Sequence, residues 1–412
     1  MSTMDSTDVT AVDDTTMPVL QVANLRVGFR RRRAENTFWA LDDVSLTVPQ
    51  GRTMGLIGES GSGKSTLANA VLGLVPVQSG TVQLDGKDIT TLSGAPRRSL
   101  GRTLQAVFQD PNSSLNPSWT IGRSLAEPMR AQGVRSKSEI RTRTAEMLED
   151  VGLSPDAADR LPGQFSGGQR QRISIARALM TSPRLVICDE SVSALDLSVQ
   201  AQILNLLSDL QDEHGVSYLF ISHDMSVVRH VCHDVTVLYR GQVMEVGPTR
   251  LVTAQPAHPY THELLLSAPV ADPTIQRARQ QQRQLVHEAK LAQPALPADV
   301  SGGAGSCAFV SRCPVARDIC SRQRPPLRLL PDGRSVACHR YPEWRSEVPD
   351  TTLPAPSATG GRSIPEVAPP DPAGEPHADG DGLRADRGAV SSVQDQFAPS
   401  RAPQYRSTQE SS

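Results

Sequence analysis

The stretch Gly55–Leu67, "GLIGESGSGKSTL", governs how the rest of the chain is read. It holds four glycines and three serines and places a single lysine near its end. The apolar lead-in Thr53–Ile57 reads as a short buried strand, and the run Leu67–Leu74 has helical apolar spacing. The glycines therefore fall where a strand turns into a helix, a place where backbone N–H groups converge on an anion. Gly58, Gly63, Lys64 and Ser65 satisfy the phosphate-loop pattern in full, with its strand-loop-helix context. Glycine permits positive φ and close backbone approach. The expected cradle is Gly58, Ser60, Gly61, Ser62, Gly63, Lys64, Ser65 and Thr66. Its N–H groups face a β-phosphate, and the helix start adds about half a positive charge. Lys64 is expected to bridge the β- and γ-phosphates and Ser65 to ligate Mg2+.

Working outward, "LVICDE", Leu185–Glu190, is an apolar strand that ends in two carboxylates. Downstream of a phosphate loop, Asp189 suits Mg2+ coordination through water. Glu190 suits orienting or deprotonating the water that attacks a γ-phosphate. A second glycine-bearing helix start lies in "QFSGGQRQRISIARAL", Gln164–Leu179. Ser166, Gly167 and Gly168 precede a helix whose apolar residues fall at Ile173, Ala176, Leu179 and Met180. That is another anion-grade N-terminus. With one nucleotide loop per chain, it acts on a nucleotide only if it faces another copy of the fold.

Composition narrows the classes. A net charge of −2, 21% charged residues and 4% aromatics do not suit a nucleic-acid binder or a base-stacking platform. The acidic N-terminus lacks a signal-peptide pattern, and the run Leu67–Leu84 is too polar to span a bilayer. The expected location is therefore cytosolic, with any membrane role reached through partners. Short β-branched runs from Val19 to about Leu84 read as strands, a helical stretch follows Gly122, and strands alternate with helices from Gly167 to Val246. That alternation indicates a largely parallel sheet covered on both faces.

Together these motifs resemble the ATP-binding subunit of an ABC transporter, over roughly residues 19–340. Supporting matches are "SALD" at 193–196 and "ISHD" at 221–224. The resemblance implies an α/β P-loop NTPase cassette: a RecA-like core with an antiparallel β subdomain and a helical subdomain. The expected layout is a disordered leader at 1–18, the cassette at 19–270 with its helical subdomain at about 110–180, an arm at 271–300, a Cys-rich segment at 301–342 and a disordered tail at 343–412. It further implies that Gln109 contacts Mg2+ and relays the state of a membrane partner, that His223 contacts the γ-phosphate, and that Asp196 belongs to an inter-subunit loop. In this family two cassettes sandwich two ATPs, so that Ser166–Gln169 of one complete the site of the other. By position, Phe29 is the expected adenine-stacking aromatic, with Phe38 and Trp39 as alternatives. One departure is Ser191, where related chains usually carry proline after the catalytic glutamate.

"VFQDPNSSLNP" at 107–117 and "QPAHPYTHELLLSAP" at 255–269 resemble the oligopeptide/dipeptide branch, whose members import peptides and in some cases nickel. The implied partners are a second cassette, identical or paralogous, two transmembrane permease subunits and, indirectly, an extracytoplasmic solute-binding protein. The implied place is the cytoplasmic face of the membrane. A soluble ABC ATPase acting on nucleic acid or ribosomes is the competing class, but the second cassette, coiled-coil insertion and basic excess it needs are absent from the sequence. Cys307, Cys313, Cys320 and Cys338 are spaced by five, six and seventeen residues. Four thiolates suit an iron–sulfur cluster or zinc. Some members of the branch are thought to hold a 4Fe–4S cluster here; zinc, with His339 as a further ligand, and free buried thiols are the alternatives.

Overall fold

The computed structural model describes residues 17–30, 37–110, 114–193, 195–268, 276–277, 280–281, 283–284 and 305–347. The leader before residue 17, most of the expected arm and the chain from 348 onward lie outside these residues.

Strands β3 (Thr53–Ile57), β7 (Leu185–Asp189) and β8 (Ser217–Ser222) are buried along almost their whole length. A strand covered on both faces belongs inside a parallel sheet. With β6 (Leu104–Val107) and β9 (Asp234–Tyr239) they form a parallel core in the order β9-β3-β8-β7-β6. β10 (Gln242–Pro248) returns antiparallel to β9. Alternate side chains feed two separate cores. Val186, Cys188, Tyr218 and Phe220 pack on the side that holds the helical subdomain, whereas Leu185, Ile187, Leu219 and Ile221 pack towards a second sheet. That sheet is antiparallel, with β1 (Leu20–Arg30) between β2 (Thr37–Val48) and β4 (Ser79–Leu84), and β5 (Lys87–Asp88) at its edge.

In the helical subdomain, the helices Ile121–Ala131 and Lys137–Asp150 start at Thr120 and Ser136, whose hydroxyls accept first-turn N–H groups. They pack Leu125, Met129, Met147 and Leu148 against Ile173 and Ala176 of the helix Gly167–Leu179. The first predicted helix is displaced. It spans Lys64–Val71 rather than 67–74, because Gly63 ends the loop at φ 109° and Gly73 stops the helix at φ 69°.

The C-terminal extension is part of the cassette's own sheet. β12 (Ser335–Val336) pairs with β10, and β11 (Arg328–Leu329) pairs with β12, which brings the sheet to eight strands. The buried carboxylate of Glu245 on β10 accepts the N–H groups of Ala257 and His258 at 2.8 and 2.9 Å, and the buried Arg334 guanidinium reaches it at 3.3 Å. The order also runs past the expected boundary at 342. Trp344, in the short helix Trp344–Glu347, is buried and donates its indole N–H to Ala257 O at 2.8 Å. Burial of that large apolar ring offsets part of the chain entropy that residues 343–347 lose on ordering.

Candidate active site

The parallel strands bring their carboxyl ends to one rim, where crevices of α/β sheets bind ligands. Ile57 pairs with Ser222, Asp189 with Ile221 and Val107 with Cys188. The phosphate loop, His223, the Asp189–Glu190 pair and Gln109 therefore leave four adjacent strands side by side.

The loop is held by its neighbours. A Cβ on Gly58 would come within 2.1 Å of Leu238 O, and one on Gly63 within 2.6 Å of Ala40 O, so neither position tolerates a side chain. Ser62 O accepts the N–H of Gly241 at 2.8 Å, Ser62 N–H donates to Glu59 O at 3.1 Å, and Glu59 N–H donates to Tyr260 Oη at 2.9 Å. Gly63 caps the following helix with no side-chain acceptor, which leaves first-turn N–H groups for a ligand. Ser62 Oγ is buried without a hydrogen-bond partner, an orphan polar atom inside the cradle.

Lys64 is buried, and its Nζ donates to Gly58 O and Glu59 O at 2.8 and 2.9 Å. Burial draws its pKa down, against the opposing pull of the Glu190, Asp189 and Glu59 carboxylates. Asp189 moves up, first through burial and further through Glu190; the Ser65 hydroxyl, 3.5 Å away, and Lys64 hold it back. A divalent cation at Asp189 would draw that carboxylate back down. The donor set, a hydroxyl and a carboxylate of hard oxygens, fits Mg2+. Glu190 adopts φ 49°, unusual for a side-chain-bearing residue, with its N–H donated to Ile221 O at 3.0 Å. Such conformations concentrate at functional positions. His223 Nδ1 lies 3.4 Å from Glu190 Oε1. Ser191, which stands where related chains usually carry proline, is buried with its hydroxyl facing the Cys188 thiol.

Other expected residues sit further away. Gln109 is exposed beyond β6, in line with Glu190, and among the described residues no hydrogen bond joins it to Ser65 or Asp189. Phe29 faces Phe38 across β1 and β2, both about half exposed, on the ribbon whose Ala40 O touches Gly63; Trp39 stacks with Arg26 at 4.4 Å. Ser166 and Gln169 form a reciprocal cap: Gln169 N–H donates to Ser166 Oγ at 3.3 Å and Ser166 N–H to Gln169 Oε1 at 3.0 Å. Gly167 is open, but a Cβ on Gly168 would lie 2.5 Å from Val199 Cγ1. The N–H of Val199 in turn donates to Asp196 Oδ1 at 3.0 Å. Asp196 thus caps the helix Leu197–His214, and its acceptor bonds from Ser198 and Val199 hold its pKa down. The serine-glycine-glycine turn and the Asp196 loop abut through that valine. Among the described residues, no hydrogen bond or ion pair links Ser166–Gln169 to the phosphate loop.

Cys307, Cys320 and Cys338 are buried and Cys313 partly so. Burial raises the thiols of Cys307 to about 11 and Cys338 to about 12, and pushes Cys313 up as well; neighbouring cysteines of the set add to each shift. Backbone N–H groups of Phe309 and Val310 face Cys307, that of Val315 faces Cys313, and that of Arg340 lies 3.4 Å from Cys338 Sγ. The cysteines are thus gathered, yet no three of their sulfurs fall within 4.8 Å of one another. His339 turns its Nε2 to Gln323 O at 2.9 Å rather than to this group. Sequence spacing did not reveal Tyr260, Glu59 and Arg312 as a unit. Arg312 grips Glu59 with two 2.7 Å bonds across 253 positions, a separation that leaves no local signal.

Residues 41–193 match the ABC transporter family, and residues 244–320 match the C-terminal region of oligopeptide/dipeptide transporters. The chain is 45% identical over 332 residues to a probable peptide ABC transporter ATP-binding protein of Sinorhizobium fredii, covering 80% of this chain and 89% of that one. It is 46% identical over 321 residues to a putative peptide import ATP-binding protein of Brucella abortus, covering 78% and 92%. Among solved structures, an ATP-binding cassette in a dimeric post-hydrolysis state with ADP and Pi superposes with a TM-score of 0.51 at 30% identity, covering 56% of this chain and 99% of that one. A protein of Clostridium perfringens that is part of an ABC transporter complex gives 0.52 at 25% identity, covering 66% and 98%. A complete phosphate loop, a carboxylate pair and a histidine on adjacent strand ends, and a C-terminal region folded into the same sheet place this chain among the ATP-binding subunits of ABC transporters, in the oligopeptide/dipeptide branch.

Proposed function

We propose that the chain hydrolyses ATP to ADP and phosphate to drive import of di- and oligopeptides across the cytoplasmic membrane, from that membrane's inner face. The observation that carries this reading is the convergence of Lys64, Asp189, Glu190 and His223 on one rim, in a chain whose C-terminal region is that of peptide importers. The loop N–H groups and Lys64 hold the β- and γ-phosphates. Ser65 and Asp189, with Gln109, are the residues to hold Mg2+, which when bound neutralises charge between those phosphates. Glu190 orients the attacking water and takes up its proton, and His223, beside it, meets the γ-phosphate. Phe29 stacks on the adenine.

Ser166, Gly167, Gly168, Gln169 and Asp196 act on the nucleotide of a second cassette, identical or paralogous, since their own loop does not meet them. Two permease subunits, fed by an extracytoplasmic solute-binding protein, dock on the groove of about 570 Å³ that Leu74, Phe108, Glu127 and Arg177 line beside Gln109. The exposed Leu74 and Phe108 suit an apolar partner segment there. Cys307, Cys313, Cys320 and Cys338 hold a structural 4Fe–4S cluster. No three of those sulfurs lie within 4.8 Å of one another, more open than the tetrahedral shell of one zinc ion.

Glu190→Gln tests the hydrolytic role. Cells carrying it should lose uptake of labelled peptide while the purified variant still binds ATP and accumulates as a closed dimer. Uptake at the wild-type rate would end the proposal. Iron and acid-labile sulfide should be present in the purified wild type and missing from Cys313→Ser; zinc in their place would reject the cluster.

A further inference from the structure

We infer that Arg312, in the C-terminal extension, is a positioning residue for the phosphate loop, which it steadies by neutralising Glu59; the inference rests on the ATP-binding reading above. Glu59 is the residue between Gly58 and Ser60, so its carboxylate is carried by the loop that receives the triphosphate. It lies close enough to Lys64 to affect that ammonium, and it would repel the incoming phosphates. Arg312 answers it with a fork: Nη1 to Oε2 and Nη2 to Oε1, each at 2.7 Å. Two parallel bonds fix the orientation of the carboxylate as well as its charge.

The guanidinium is itself preorganised. Nη2 also donates to Glu263 Oε1, and the charged group lies 5.6 Å from the Tyr239 ring and 5.7 Å from the Phe309 ring. Those rings and Tyr260 form a buried cluster with centroids 4.5 to 5.4 Å apart, and the Tyr260 hydroxyl accepts the Glu59 N–H. Backbone and side chain of Glu59 are therefore gripped by Tyr260 and Arg312, both inside the region characteristic of the branch. The same turn sets Arg312 and Cys313, because both donate their N–H groups to Phe309 O at 3.0 Å. The cysteine-bearing segment thus presses on the nucleotide site through one side chain.

Nucleotide affinity of the full-length chain, measured with a fluorescent ATP analogue, tests this alongside the KM and kcat of ATP hydrolysis. Arg312→Gln leaves Glu59 unpaired and should weaken binding about five-fold, the upper worth of a partly exposed pair, with the loss in KM rather than kcat. Arg312→Lys keeps the charge without the fork and should fall between. The double variant Arg312→Gln with Glu59→Gln removes the repulsive carboxylate too, and should recover most of the affinity. Thermal midpoints separate this from general unfolding. The inference is overturned if Arg312→Gln binds like the wild type, or if the double variant is as weak as Arg312→Gln alone. A wild-type chain that binds no nucleotide would instead take down the reading of the site itself, and this inference with it.

Discussion

Two helix starts in this molecule look alike on paper and differ in space. The helix Lys64–Val71 begins at Gly63 with no side-chain cap, wrapped by β2, the strand ends and the C-terminal region. The helix Gly167–Leu179 begins at Ser166, which together with Gln169 closes a reciprocal cap on its own first turn, in an exposed position. An uncapped start walled in by its neighbours has unmet donors that suit a phosphate. A capped, exposed start is stable alone and adds its remaining donors only to something presented from outside. On the proposed function, one fold would carry part of its chemistry as a pocket and part as a surface.

The difference can be attacked at either end. The largest effect is expected at Lys64→Ala, which removes a buried ammonium; ATP affinity should fall on the order of 10²-fold. A fluorescent-nucleotide titration checks it, and an unchanged Kd breaks the claim that this start is the pocket. At the other end, Ser166→Ala should leave the ATP affinity of the separate subunit as it was. It should lower ATP turnover of the assembled transporter about ten-fold, the worth of a hydrogen bond to a charged group. Weakened binding by the lone subunit would mean that the turn works within its own chain. The smallest effect belongs to Gln169→Ala in the same turn, which loses half of the cap. Its thermal midpoint should drop by about 2–4 °C, and its ATP turnover should fall less than that of Ser166→Ala; a larger fall would reverse the order of the two residues in that turn.

The contrast also shows where reading along the chain works. Contiguous motifs were legible because their residues lie together in the chain: the phosphate loop is one short run and "LVICDE" is a buried strand that ends at the rim, although the atoms that exclude a side chain at Gly58 and Gly63, Leu238 O and Ala40 O, are remote. The role of Asp196 as a helix cap was readable in principle, since Asp before Leu197–His214 is a favoured N-cap. The boundary at 342 failed because nothing local announces that Trp344 finds Ala257 O. His339 looked like a ligand by its place next to Cys338, and only the fold turns it to Gln323.

By itself the amino-acid order determined that a phosphate-binding loop, a carboxylate-tipped strand and a second glycine-bearing helix start exist, since each is a short-range pattern of hydrogen bonding and burial. Tertiary packing alone decided that Gly168 rests on Val199 beside Asp196, that the cysteines gather without collapsing, and that Arg312 holds Glu59 from 253 positions away. Such pairs depend on how sheets and rings stack, which sums many weak contacts across the whole core and leaves no trace in any one stretch of sequence.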